Sequence, residues 1–112
     1  MQRKEVSLLT EKRPVIARAL RRSSIRRKII EYLFNVGPSG SYASEIAYHI
    51  KATPTNVIGA MRGMGNRYRK KESLLDLQIV EEINRGRDMK LYRLTDFGRE
   101  IAERLKNDRI FF

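Results

Sequence analysis

The chain has 112 residues, and its 24 Lys and Arg against 13 Asp and Glu give a formal net charge of +11. That length suits one small domain, and the absence of Cys excludes a disulfide framework, a thiolate metal site and a cysteine nucleophile. A single histidine, His49, cannot make a His-based metal site alone, and no apolar run approaches the length of a membrane span.

The charge is unevenly distributed. Ten basic and three acidic side chains in residues 1–40 leave +7, six and two in 41–75 leave +4, and eight of each in 76–112 cancel. Chains rich in Glu, Lys and Arg also occur in heat-adapted proteins, but there the signs are mixed. A one-signed excess over 75 residues points to a polyanionic partner.

Residues 1–13 read as a basic N-terminal arm without the apolar segment of a secretory signal. A domain is expected over 14–107, followed by an apolar tail, 108–112, that contains Ile110-Phe111-Phe112. Pro14 suits a first helical turn, and Val15, Ile16, Ala19 and Leu20 recur at helical spacing. Ser23-Ser24 offers N-caps for a second helix over about 24–36, with Ile25, Ile29, Ile30, Leu33 and Phe34 on one face and Arg26, Arg27 and Glu31 on the other. It stops at Gly37-Pro38.

A short helix is expected over about 42–50, with Ala43, Ile46, Ala47 and Ile50 as its stripe. Thr53-Pro54, an N-cap followed by Pro, starts the next helix, which the spacing of Val57, Met61, Met64 and Tyr68 extends to about 67. Two strand-like runs follow, 79–83 and 89–94, separated by the glycine-containing hairpin loop Asn84-Arg85-Gly86-Arg87-Asp88. Thr95 caps a last helix to about 107, with Phe97, Ile101, Ala102 and Leu105 as its stripe. The fold class is therefore mainly α with a small β-hairpin (α+β). A short helix joined to a second one with a polar outer face, and a hairpin behind it, is the winged helix-turn-helix layout.

Within that layout, Thr55, Asn56, Gly59, Arg62 and Asn66 are the candidates for base contacts. Gly59 and Gly63 fall four residues apart on one helix face, where each glycine costs about 1 kcal/mol relative to Ala. Close approach to DNA explains them, and so does close packing against another protein helix. Arg85 and Arg87 flank Gly86 and suit a wing entering a minor groove, or a solvated charged turn. Thr53, Arg26, Arg67, Arg69, Lys70 and Lys71 are the candidate phosphate contacts, with Arg21, Arg22, Arg27 and Lys28 in the same basic set; a solvated helix face accounts for such charges equally simply. His49 reads as a surface or boundary residue. No carboxylate pair, Ser/His/Asp set or strand-to-helix glycine loop stands out, so neither an enzyme nor a cofactor, metal or small-molecule ligand is expected.

Three stretches then carry a family resemblance. ALRRSSIRRKIIEYL at 19–33 resembles the opening helices of ArsR- and MarR-like winged-helix regulators, especially archaeal ones. ATPTNVIGAMR at 52–62 is similar to their recognition helix, and LYRLTDFGREI at 91–101 to the passage from the wing's return strand into the last helix. Together they span about residues 14–105. The resemblance implies sequence-specific binding of double-stranded DNA, transcription control, a cytoplasmic, nucleoid-associated place and a homodimer, here through the first and last helices. Two departures stand against it: residues 67–77 intervene where a strand usually follows, and the ArsR-type metal ligands are missing. An RNA-binding or ribosome-associated winged helix, and a protein–protein winged helix of a transcription or replication assembly, are the competing readings.

Overall fold

The computed structural model describes residues 14–65 and 68–107. The basic arm 1–13, Asn66, Arg67 and the tail 108–112 lie outside the described residues. Among the described residues, five α-helices and a small three-stranded antiparallel sheet make an α+β fold.

Helix α1 is helical over 14–22, and its Ile16, Ala19 and Leu20 are fully buried. Ser23, in extended conformation, stops it and caps α2 (Ser24–Val36) by accepting the Arg26 N–H on its Oγ at 3.1 Å. Arg27 reaches back to the carbonyls of Leu20 and Arg21, satisfying acceptors that the end of α1 leaves open. Gly37 ends α2, and a 3-10 turn over Gly37–Ser39 leads into β1 (Ser41–Tyr42).

Helix α3 (Ala43–Ile50) starts where Glu45 accepts the Tyr42 N–H at 2.9 Å, and it ends at Lys51, which adopts a left-handed conformation at φ 59°. Thr53 caps α4 (Pro54–Arg62), its Oγ1 accepting the Asn56 N–H at 3.1 Å. Helices α2, α3 and α4 pack on one another, with Ile29, Ile30, Leu33, Ile46, Val57 and Met61 at their shared centre. Each such side chain contributes about 1.5–3 kcal/mol by leaving water.

Helix α4 stops at Arg62, five residues short of the end that the apolar spacing predicts. The backbone is the cause. Gly63 sits at φ 89°, and a Cβ there would lie 2.6 Å from the Lys70 Cα, so the returning chain crosses right against it. Met64 and Tyr68 then pair as an antiparallel bridge, and the Leu74 and Leu75 N–H groups donate to the Ala60 and Met61 carbonyls at 3.1 and 3.0 Å. The segment from Tyr68 onward thus folds back and closes the C-terminal end of α4. It holds a 3-10 turn over Lys70–Glu72 and plants Leu74 and Leu77 in the core. Tyr68 is buried as its spacing implies, whereas Met64 is 43% exposed, because a residue beyond the helix end no longer follows the stripe.

Strands β2 (Val80–Asn84) and β3 (Lys90–Leu94) form the expected hairpin, with Val80 opposite Leu94 and Asn84 opposite Lys90. Its central strand is β3, because β1 pairs along the other edge, Ser41 opposite Tyr92. Thr95 caps α5 (Asp96–Lys106) by accepting the Gly98 N–H at 2.8 Å. The buried Phe97, Ile101 and Ala102 complete the core, and α5 lies against α2.

Candidate nucleic-acid interface

Helix α4 presents Thr53, Pro54 and Thr55 at its exposed N-terminal end. Asn56 is half-buried and its Oδ1 accepts the Tyr68 hydroxyl at 3.3 Å. Gly59 does not lie on the outer face. It is buried, and a Cβ on it would come within 2.5 Å of the Tyr68 ring. The glycine is there for packing, and the surface it meets belongs to the same chain. Its assignment to a base contact is therefore corrected, and Gly63 has left the helix altogether.

Arg62, at the other end of α4, is engaged. Its Nε donates to Glu82 Oε2 at 3.1 Å and its Nη2 contacts the same oxygen, while Lys90 lies 3.9 Å from Oε1. Burial pulls the Glu82 carboxyl upward, but hydrogen bonds from Arg62 and Tyr92 and the charges of Arg62 and Lys90 outweigh it and leave the group below its ordinary range. Arg62 thus ties α4 to the hairpin.

The hairpin loop is tightly built. Arg85 N–H donates to the Met89 carbonyl at 2.7 Å, Gly86 N–H to Asn84 Oδ1 at 3.1 Å, and Gly86 takes φ 134°. Arg85 and Arg87 are both exposed. Between α4 and this hairpin runs a cleft of about 710 Å³, lined by Pro54, Ile58 and Arg62 on one side and Asp88, Met89 and Lys90 on the other. The start of α3, from Ala43 to Glu45, closes its end.

The phosphate candidates divide. Arg69, Lys70 and Lys71 are exposed, as is Thr53, and Arg67 and Asn66 lie outside the described residues. Arg26 is only 3% exposed, so its assignment to a phosphate contact on the surface is corrected. Its Nη1 lies 3.8 Å from Glu72 Oε1 and donates to the Ala19 carbonyl at 3.4 Å, and its guanidinium stands 5.6 Å over the Tyr68 ring. Glu72 is as deeply buried, hydrogen-bonded by Arg18 Nε at 3.0 Å and approached by Arg22 at 3.9 Å. Desolvation lowers the Arg26 pKa, with Glu72 opposing the effect.

Glu72, Glu82 and Tyr68 are the residues whose positioning roles sequence reasoning missed. Tyr68 was legible as a core residue, but nothing local marks the two glutamates. Glu72 meets arginines 46 to 54 positions away, and Glu82 meets one 20 away. His49 is exposed and stacks on Tyr32 with ring centroids 5.0 Å apart, beside Tyr48, which is 80% exposed. Among the described residues no group of three or more His, Cys, Asp or Glu is placed to hold a metal, and no helix is long and apolar enough to cross a membrane.

Comparison with known proteins agrees with the extent of this core. An uncharacterized protein of Methanocaldococcus jannaschii is 43% identical over 94 residues, covering 84% of each chain. No solved structure matches. The family model described as EarA-like matches residues 16–105, from the first buried residue of α1 to the last turn of α5, and the chain belongs to that EarA-like family.

Proposed function

We propose that the protein is a winged helix-turn-helix regulator that binds duplex DNA in a sequence-specific manner. In this reading α4 lies in the major groove and the loop between β2 and β3 follows the adjacent minor groove. The observation that carries it is the cleft. Thr55 and Asn56 begin the same helix that lines one of its walls, and the loop bearing Arg85 and Arg87 forms the other. One side of the molecule thus offers a helix with polar side chains in its first turn and, beside it, two exposed guanidinium groups. Arg69, Lys70 and Lys71, exposed just beyond the end of α4, supply phosphate contacts that position without reading sequence.

Arg62 has a different part from the one its spacing suggests. Paired with Glu82, it holds the hairpin at a fixed offset from α4, which is what a two-element reader of adjacent grooves requires. A homodimer suits a palindromic site, and the groove between α2 and α5, where Phe34 and Leu105 lie among Arg27, Lys28, Glu31 and Lys106, offers a surface for it. Enrichment of duplexes from a random pool by the full chain tests the reading. A compact recurring motif is expected, retained against structured RNA at equal nucleotide concentration. An unenriched pool, or displacement of duplex by that RNA, would overturn it in favour of RNA binding or a purely protein partner.

A further inference from the structure

A second charged site lies apart from the α4–hairpin cleft. Arg22, Ser23, Ser24, Ile25, Arg26, Tyr68, Arg69 and Glu72 enclose a cavity of about 340 Å³ where the first turn of α2 faces the segment that folds back after α4. We propose that this cavity binds a compact oxyanion of the phosphate type, held by Arg22, Arg69 and the first turn of α2 in front of the buried Arg26.

Electrostatics make the first case. A helix N-terminus carries about half a positive charge and favours acids, yet the first turn of α2 holds none. Arg26 stands in that turn instead, and Arg22, the last residue of α1, lies beside it at the cavity. Around the cavity, Arg18, Arg22 and Arg26 share the single carboxylate of Glu72, a net of +2 from three positive charges and one negative, and Arg69 at the mouth adds another. Such a concentration of one sign beside a helix dipole costs free energy unless an anion offsets it.

Hydrogen bonding makes the second case independently. Arg26 is buried, and its Nε and Nη2 have no hydrogen-bond partner among the described residues. A buried guanidinium with two unmet donors is expensive, and a polar cavity beside it is where an acceptor belongs. The Ser23 Oγ already takes the Arg26 N–H, which leaves the Ser24 and Ile25 N–H groups without an intrahelical acceptor at the cavity edge. A small oxyanion presents acceptors on every side and so meets N–H groups and guanidinium groups together. Glu72 faces the same space, but its Oε2 accepts from Arg18 at 3.0 Å, and it offsets only part of the positive charge.

Occupancy has a route to α4. Tyr68 forms part of the cavity wall, packs its ring against Gly59 and donates its hydroxyl to Asn56. An anion that fixes Arg26 beneath this ring also fixes the seat of the first turns of α4.

Thermal unfolding of the full chain in sodium phosphate against sodium chloride, at matched ionic strength and pH 7, tests the site without any DNA. A saturable rise of several degrees is expected once phosphate is roughly tenfold above its dissociation constant. Arg22 and Arg69 are exposed enough for replacement without loss of the fold, and R22A/R69A should lose most of the rise. Phosphate also stabilises proteins by exclusion from their surface, so an equal rise in R22A/R69A, or none over chloride, would overturn the proposal. Line broadening of the phosphorus resonance with the wild-type chain and not with R22A/R69A gives a second readout. Repeating the titration on saturating duplex identifies the source: a shift that vanishes means that a backbone phosphate takes the site, and one that persists means a free phosphate ester does.

Discussion

Arg26 and Arg87 look alike in the sequence, each with another arginine within two residues. Folding separates them. Arg26 ends 3% exposed between Glu72 and the Tyr68 ring, whereas Arg87 stands exposed at a hairpin tip with Arg85 beside it. The buried cluster sets where α4 sits, and the exposed pair is free to meet a partner. Segmental charge put the excess in the first two-thirds of the chain, yet part of that excess is internal. The balanced last third still carries two exposed arginines at one hairpin tip, Arg85 and Arg87.

The largest effect should come from the buried side of this contrast. Replacing Glu72 by Ala leaves Arg26 without its carboxylate, and removal of one partner from a buried pair costs about 3–5 kcal/mol. For a domain of this size that is a large fraction of the whole stability. Urea denaturation should show the loss directly. A change under about 1 kcal/mol would mean that the cluster is wet and that Tyr68 alone seats α4.

That cluster also shows where the sequence stops being legible. Periodicity and caps located α2, α3, α4 and α5, because an apolar stripe and a Ser23, Thr53 or Thr95 cap are local features. The hairpin was equally local. The end of α4 was not, since Gly63 looks like any helical glycine until the Lys70 backbone crosses it. Arg26 fell on the polar face of α2 by spacing, and only contacts with residues 42 and 46 positions later turn that face inward. For the candidate interface, Thr55 and the two loop arginines lie on exposed surface, while Gly59 and Arg62 are committed elsewhere by Tyr68 and Glu82. Strand β1, two residues long, is visible only through its pairing with β3.

On the exposed side, replacing Arg85 and Arg87 together by Ala should leave stability within about 0.5 kcal/mol. Duplex binding should weaken, and the slope of log affinity against log salt should fall by about 2, one counterion for each lost charge. Salt titrations of the wild-type and doubly substituted chains on one duplex measure both. An unchanged slope would place the hairpin tip away from the DNA and break the contrast between the two arginine groups.

Arg62 stands between these extremes, partly exposed and ion-paired to Glu82, and predicts a modest change. The Glu82 carboxyl is held below its ordinary value of 4.5 in the folded chain. Its contribution to stability is therefore full above that value and fades as pH falls through the lowered folded one. Replacing Glu82 by Gln should flatten this part of the acid limb and cost about 1 kcal/mol or less at neutral pH, as partly solvated pairs do. The same change releases Arg62 from the hairpin. If the pair fixes the offset between α4 and the loop, E82Q should blur sequence preference in a random-site selection while non-specific affinity holds or rises, since one carboxylate fewer faces the phosphates. If preference is retained and only affinity rises, Glu82 acts as a surface charge, and the hairpin is held by its sheet alone.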